Sequence, residues 1–186
     1  LGLTDLPSQD VGVSGEITLS GSVFRLASAS AVTPNPVNFG NVRIDSTTDQ
    51  ALTLTNTAAN DGFSEKLTAG IGGATAGVTS NNGSFTLLGP QASDSTSLRV
   101  GLDTSSAGAK NGSASITLVS DGTGTSGLGQ TPLGSQNVTI TGDVFRLATG
   151  NATPAPLDLG SFRLSAATAS GNLSVTNTAA ADGFSE

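Results

Sequence analysis

Apolar and polar residues alternate with a period of two along much of this chain. Ile17 and Leu19, Leu52 and Leu54, then Leu98, Val100 and Leu102, Ala114, Ile116 and Leu118, and finally Val138 and Ile140 are separated by polar or small residues. Side chains of a strand point alternately to its two faces, so this spacing predicts strands with one face buried and the other in water. No stretch carries the 3.6-residue period of an amphipathic helix. Turn-forming clusters punctuate the runs at Asn60-Asp61-Gly62, Asn81-Asn82-Gly83 and Lys110-Asn111-Gly112. The last lies between two alternating runs and is expected to close a hairpin, because Asn-Gly accepts positive φ.

The pattern repeats at a long interval. Gly21-Ser22-Val23-Phe24-Arg25-Leu26-Ala27 returns as Gly142-Asp143-Val144-Phe145-Arg146-Leu147-Ala148, an offset of 121 residues. At the same offset Thr55-Asn56-Thr57-Ala58-Ala59-Asn60-Asp61-Gly62-Phe63-Ser64-Glu65 returns as Thr176-Asn177-Thr178-Ala179-Ala180-Ala181-Asp182-Gly183-Phe184-Ser185-Glu186. Between these anchors Pro34–Gly40 aligns with Pro154–Gly160 at an offset of 120, so one deletion is later repaired by one insertion, as loops permit. Ile17-Thr18-Leu19-Ser20-Gly21 matches Val138-Thr139-Ile140-Thr141-Gly142. The period is the size of a domain and not of a solenoid unit. The expected organisation is residues 1–27 as the closing strands of one repeat, 28–148 as a complete repeat, and 149–186 as the opening strands of the next.

Short strands at regular spacing in a unit of this size predict an all-β chain of tandem immunoglobulin-like antiparallel β-sandwiches with seven to nine strands each. One exchange between copies fits a packed interior. Phe39 and Val42 become Leu159 and Phe162, so large and small trade places, and volume is conserved if both positions face one core.

The segment Pro36-Val37-Asn38-Phe39-Gly40-Asn41-Val42, followed by Leu52-Thr53-Leu54-Thr55-Asn56-Thr57, resembles the ASH/Hydin-type immunoglobulin-like domains and the bacterial "choice-of-anchor D" proteins that carry them. The later copy keeps the pattern in altered form as Pro156-Leu157-Asp158-Leu159-Gly160-Ser161-Phe162 and Leu173-Ser174-Val175-Thr176-Asn177-Thr178. The resemblance covers the opening third of each repeat well. It implies a sandwich in a multi-domain surface or secreted protein and implies no activity.

Composition narrows the function more than the fold. The chain has 186 residues with no Cys, Met, Trp, Tyr or His, which removes most redox, metal-binding and acid-base chemistry. A Cys-free, acidic chain rich in Ser, Thr, Gly and Asn reads as an exported bacterial protein, extracellular or at the cell surface. With a net charge of -7 and seven scattered basic residues, it offers no clustered basic face for a phosphate backbone, so nucleic acid is not an expected partner. No apolar run approaches the roughly 20 residues of a membrane span, and no signal-like segment opens the chain. With no initiator Met, a processed protein or an internal portion of a longer one is expected.

Three features bear on chemistry. Gly122-Thr123-Gly124-Thr125-Ser126-Gly127 matches the letters of a dinucleotide fingerprint, but Gly127-Leu128-Gly129-Gln130-Thr131-Pro132 cannot begin the helix whose N-terminus would receive a pyrophosphate, so a connector is expected. Asp61 with Glu65, repeated as Asp182 with Glu186, lacks both the ligand spacing of a calcium loop and the aromatic platforms of a glycosidase. The expectation is an Asp-Gly turn with Phe63 or Phe184 tucked beneath it and the acids solvated. Arg25 and Arg146, in identical Val-Phe-Arg-Leu-Ala contexts, read equally as an inter-domain salt bridge or as a solvated strand position. No catalytic, cofactor-binding or metal-binding residue is expected, and no cofactor.

The expected function is therefore structural: tandem sandwiches building a fibre, sheath or matrix on the bacterial surface, with β-strand complementation between subunits as a mode of assembly. The alternative is the stalk of an adhesin whose recognition domain lies elsewhere. Expected partners are further copies or neighbouring repeats of the same protein, with contact to glycan or the cell surface left open.

Overall fold

The computed structural model describes residues 20–164 and 168–186, and the alternation at Ile17 and Leu19 lies outside the described residues. No helix occurs among the described residues. The chain forms β1 (Val37–Arg43), β2 (Gln50–Ala51), β3 (Leu54–Thr55), β4 (Lys66–Gly72), β5 (Val78–Ser80), β6 (Ser84–Leu88), β7 (Ser93–Asp94), β8 (Arg99–Leu102), β9 (Gly108–Asp121), β10 (Gln130–Phe145), β11 (Gly150–Thr153) and β12 (Ser174–Asn177).

A five-stranded sheet in the order β1-β10-β9-β4-β6 packs against a shorter layer in which β2-β8-β5 form one sheet and β3-β7 another. All pairs are antiparallel except β1 with β10, which run parallel from Val37 opposite Ile140 to Arg43 opposite Phe145. The architecture is an all-β, immunoglobulin-like sandwich. Its first ten strands exceed the seven to nine expected because short breaks split longer runs. Leu52 and Thr53 separate β2 from β3, yet the Leu52 N–H donates to the Leu98 carbonyl at 2.9 Å and Thr53 exchanges bonds with Thr33, so the edge is continuous.

The alternating residues make the core. Leu67, Ala69 and Ile71 on β4, Ala114, Ile116 and Leu118 on β9, and Val138 and Ile140 on β10 face Leu52, Leu54, Leu98, Val100 and Leu102 of the other layer in a single buried cluster. Each fully buried Leu, Ile or Val stabilises the fold by about 1.5–3 kcal/mol relative to exposure. Ala27 and Val32, ahead of the first strand, belong to the same cluster. Phe39 and Val42 are half-buried and pack against it, whereas their counterparts Leu159 and Phe162 are exposed, so the exchange of bulk is seen against a core in the first copy alone.

Lys110-Asn111-Gly112 is not the hairpin that its letters suggest. These residues lie inside β9, with Lys110 opposite Gly142 and Gly112 opposite Ile140. Glycine is required here for space, since a Cβ on Gly112 would stand 2.4 Å from the Thr75 hydroxyl and 2.8 Å from a Val78 methyl. The real β9–β10 hairpin closes at residues 122–129, where the Gly122 N–H donates to the Gly129 carbonyl at 2.9 Å. Pro132, which has no N–H for the ladder, sits at the register shift between Pro132 and Gly134.

The edges of this sandwich are blunted. β5 has only three residues, β6 carries Leu87 at a φ of 55°, and β1 shifts register between Asn38 and Asn41, where Gly40 has a φ of 62°. Short, bulged edges resist pairing with other strands. β11 and β12, by contrast, form a two-stranded sheet to which no other described strand is added.

Candidate functional site

The two copies of the Val-Phe-Arg-Leu-Ala segment adopt one geometry. The Arg25 N–H donates to the Phe63 carbonyl at 2.9 Å, and the Glu65 N–H donates back to the Arg25 carbonyl at 3.0 Å. The Arg25 Nη1 donates to both Asp61 carboxylate oxygens at 2.7 and 2.6 Å and to the Ser64 Oγ at 3.0 Å. In the later copy the Arg146 N–H meets the Phe184 carbonyl at 2.9 Å, and the Glu186 N–H meets the Arg146 carbonyl at 3.0 Å. Arg146 Nη1 reaches Asp182 at 2.6 Å and Ser185 Oγ at 3.1 Å. Phe24 lies against Phe63 with ring centroids 5.6 Å apart, as Phe145 does against Phe184 at 5.7 Å.

Both arginines form ion pairs, Arg25 with Asp61 and Arg146 with Asp182. The Asp-Gly turn is present, with Gly62 at a φ of 85°, and Asp61 Oδ1 also accepts the Phe63 N–H at 3.0 Å. Phe63 does not tuck beneath the turn; it is 45% exposed beside Phe24, and the buried residues here are Ser64 and Glu65. The Arg25 guanidinium, helped by the Phe63 N–H, holds the Asp61 carboxyl below the usual carboxylate range, and Arg146 does the same for Asp182. All four side chains are part-exposed, so the pairs orient the chain more than they stabilise it.

Glu65 is not solvated. It is 3% exposed, its Oε2 accepts the Ser120 hydroxyl at 2.7 Å, and its Oε1 accepts the Ser126 hydroxyl at 2.5 Å. Buried carboxylates need such partners, since an unpaired one is strongly disfavoured. The contact ties the 122–129 loop, source of the fingerprint-like glycines, to the start of β4. That loop leads into a strand and not a helix, so it has no helix N-terminus to hold a phosphate. Asn56 completes the cluster: its Nδ2 donates to the Glu65 and Leu88 carbonyls at 3.2 and 3.1 Å. Sequence reasoning missed this buried polar group because Asn56 closes an alternating strand and Glu65 follows a turn-like polar run, and neither setting signals a buried polar side chain. The only available signal was that both residues return unchanged in the later copy.

Between the copies the chain passes without a linker. The Ile44 N–H donates to the Phe145 carbonyl at 2.8 Å, and the next residue, Arg146, already bonds to Phe184. A cleft of about 400 Å³ opens there, lined by Asn41, Val42, Arg43, Phe145, Ser185 and Glu186. Across it Arg43 Nε donates to Glu186 Oε1 at 2.9 Å. Among the described residues no three acidic side chains converge in a cation-binding group, and no helix is long and apolar enough to cross a membrane.

No protein-family profile matches the sequence, and no curated protein matches it. Several solved structures are similar in part. One is the ASH/PapD-like domain of human CEP192, 8% identical, with a TM-score of 0.40 over 74% of this chain and 99% of that one. Another is AggA, the major subunit of aggregative adherence fimbriae type I from Escherichia coli, 11% identical, at 0.36 over 67% of this chain and 99% of that one. The Vibrio cholerae VesB protease, 15% identical, scores 0.33 over 63% of this chain but only 32% of its own. All three scores are too low for the likeness to carry an inference about this chain.

Proposed function

We propose that this chain is a structural segment of a bacterial surface protein, built from tandem sandwiches that form a fibre, sheath or matrix component. The observation that carries the reading is the duplicated junction. The same Arg-Asp-Ser clamp and Phe pair stand at the entry of both copies, and consecutive residues Phe145 and Arg146 bond to different repeats. Such a junction leaves no slack, which suits a protein that spans distance and transmits orientation. The division into residues 1–27, 28–148 and 149–186, the extracellular location and the resemblance to choice-of-anchor D proteins belong to the same reading, as does the lack of enzymatic activity. β-strand complementation between subunits is its mode of growth, confined to a unit whose own later strands are missing, since the completed sandwich has blunted edges.

The same linker-free junction also suits an adhesin stalk. Electron microscopy of the protein on its native surface separates the two. Repeating polymers support the first reading, and single tethered stalks with a distinct tip replace it by the second. Purified chain that stays monomeric at high concentration and lines no surface polymer removes the first altogether.

A further inference from the structure

Residues 147–186 repeat the opening of the sandwich without its cover. β11 and β12 pair from Gly150 opposite Asn177 to Thr153 opposite Ser174, which reproduces the bridges of Ala29 with Asn56 and Thr33 with Thr53. Side-chain burial differs sharply. Val37, Leu52 and Leu54 are 4%, 0% and 0% exposed, whereas their counterparts Leu157, Leu173 and Val175 are 40%, 51% and 69% exposed. Apolar residues grouped on one face are a binding surface when nothing covers them.

The first copy shows what does the covering. Leu52 receives main-chain contact from Leu98, the Asn56 N–H donates to the Ala92 carbonyl at 3.0 Å, and Val37 lies beside Ile140. Every one of these partners comes from the later part of the repeat, between Lys66 and Phe145. Glu65 is held by Ser120 and Ser126 of the same stretch, while its copy Glu186 reaches instead to Arg43 of the preceding repeat.

We propose that the apolar face carrying Leu157, Leu173 and Val175 is completed by a stretch of the same polypeptide, equivalent to residues 66–145 and continuing from Glu186. The stretch adds one strand antiparallel to β12, as β7 is added to β3, and another parallel to residues 157–163, as β10 is added to β1. On completion Glu186 leaves Arg43 for two serine hydroxyls supplied by the incoming stretch. The inference rests on the tandem-repeat reading and specifies how one repeat is finished on the platform of the last.

Because the chain has no cysteine, a single thiol reports on each position. Leu173→Cys and Val175→Cys are placed in turn in the 186-residue chain and in a chain extended after Glu186 by its own residues 66–145. Maleimide labelling is expected to slow by about tenfold or more on extension, as for a side chain that reacts only through local opening. Val23→Cys, at a fully exposed position outside the face, labels at one rate in both. A second extension, with Ser in place of the copies of Leu98 and Val100, is expected to restore fast labelling. Equal labelling of the original and extended chains, whether or not the added stretch gains β-structure, overturns the proposal. Protection in the 186-residue chain itself, rising with concentration and accompanied by a dimer in sedimentation, also overturns it and assigns the face to a second copy. The fibre role falls separately, on the absence of surface polymers.

Discussion

The Ser120 hydroxyl donates to the buried Glu65 carboxylate at 2.7 Å while accepting the Ala27 N–H at 2.8 Å. One atom therefore joins the entry of the chain, the start of β4 and the end of β9. Ser120→Ala leaves two buried polar groups short of a partner, and the expected loss is about 1–3 kcal/mol. Urea denaturation measures it, and an unchanged midpoint would show that the serine is incidental to the cluster.

Leu52 and Leu173 test the role of cover with one substitution made twice. Leu52→Ala empties a fully buried site and is expected to cost about 2–5 kcal/mol. Leu173→Ala in the half-exposed copy is expected to stay within about 0.5 kcal/mol. Similar losses at both positions would mean that the later face is already packed.

Acid should act through the clamp. The folded Asp61 carboxyl lies below its ordinary value because of Arg25, so its contribution is fully present above the unfolded value, about 3.9. It is lost as pH falls from there through the lower folded value. Asp49, Asp103, Asp121 and Asp182 are shifted the same way, so the informative quantity is a difference between proteins. Arg25→Gln is expected to lower the melting temperature at pH 7 and to converge on the parent at pH near 2. A constant gap across that range would assign the effect to packing of the arginine stem.

Gly83 stands where a Cβ would lie 2.0 Å from the Ser97 carbonyl oxygen. A backbone atom cannot swing aside as a side chain does, so Gly83→Ala is expected to cost about 1–3 kcal/mol through overpacking. Thermal melting checks this. A fully stable Gly83→Ala variant would mean that the Asn81-Asn82-Gly83 turn moves readily against Ser97.

Much of the fold was legible because alternation is a local signal. Leu52, Leu54, Leu98, Val100, Ile116, Val138 and Ile140 all reach the core on the face their spacing assigns. Repetition identified Arg25 and Asp61 as recurring features, but their pairing joins residues 36 positions apart, and no local pattern encodes that. The parallel match of β1 with β10 spans still more of the chain. Lys110-Asn111-Gly112 misleads because glycine there answers to Thr75 and Val78, neighbours that only the folded chain provides. Glu65 misleads for a related reason: its burial depends on Ser120 and Ser126, far along the sequence.

If such units are strung in tandem, as proposed, the parallel registry of β1 and β10 decides how they meet tension. Pulling the ends of such a unit apart slides the two strands lengthwise, so the hydrogen bonds between Val37–Arg43 and Ile140–Phe145 are stressed together in shear. An unzipping geometry would break them singly. Rupture then requires a concerted event, and resistance to stretching is governed by the rate of that event and not by equilibrium stability.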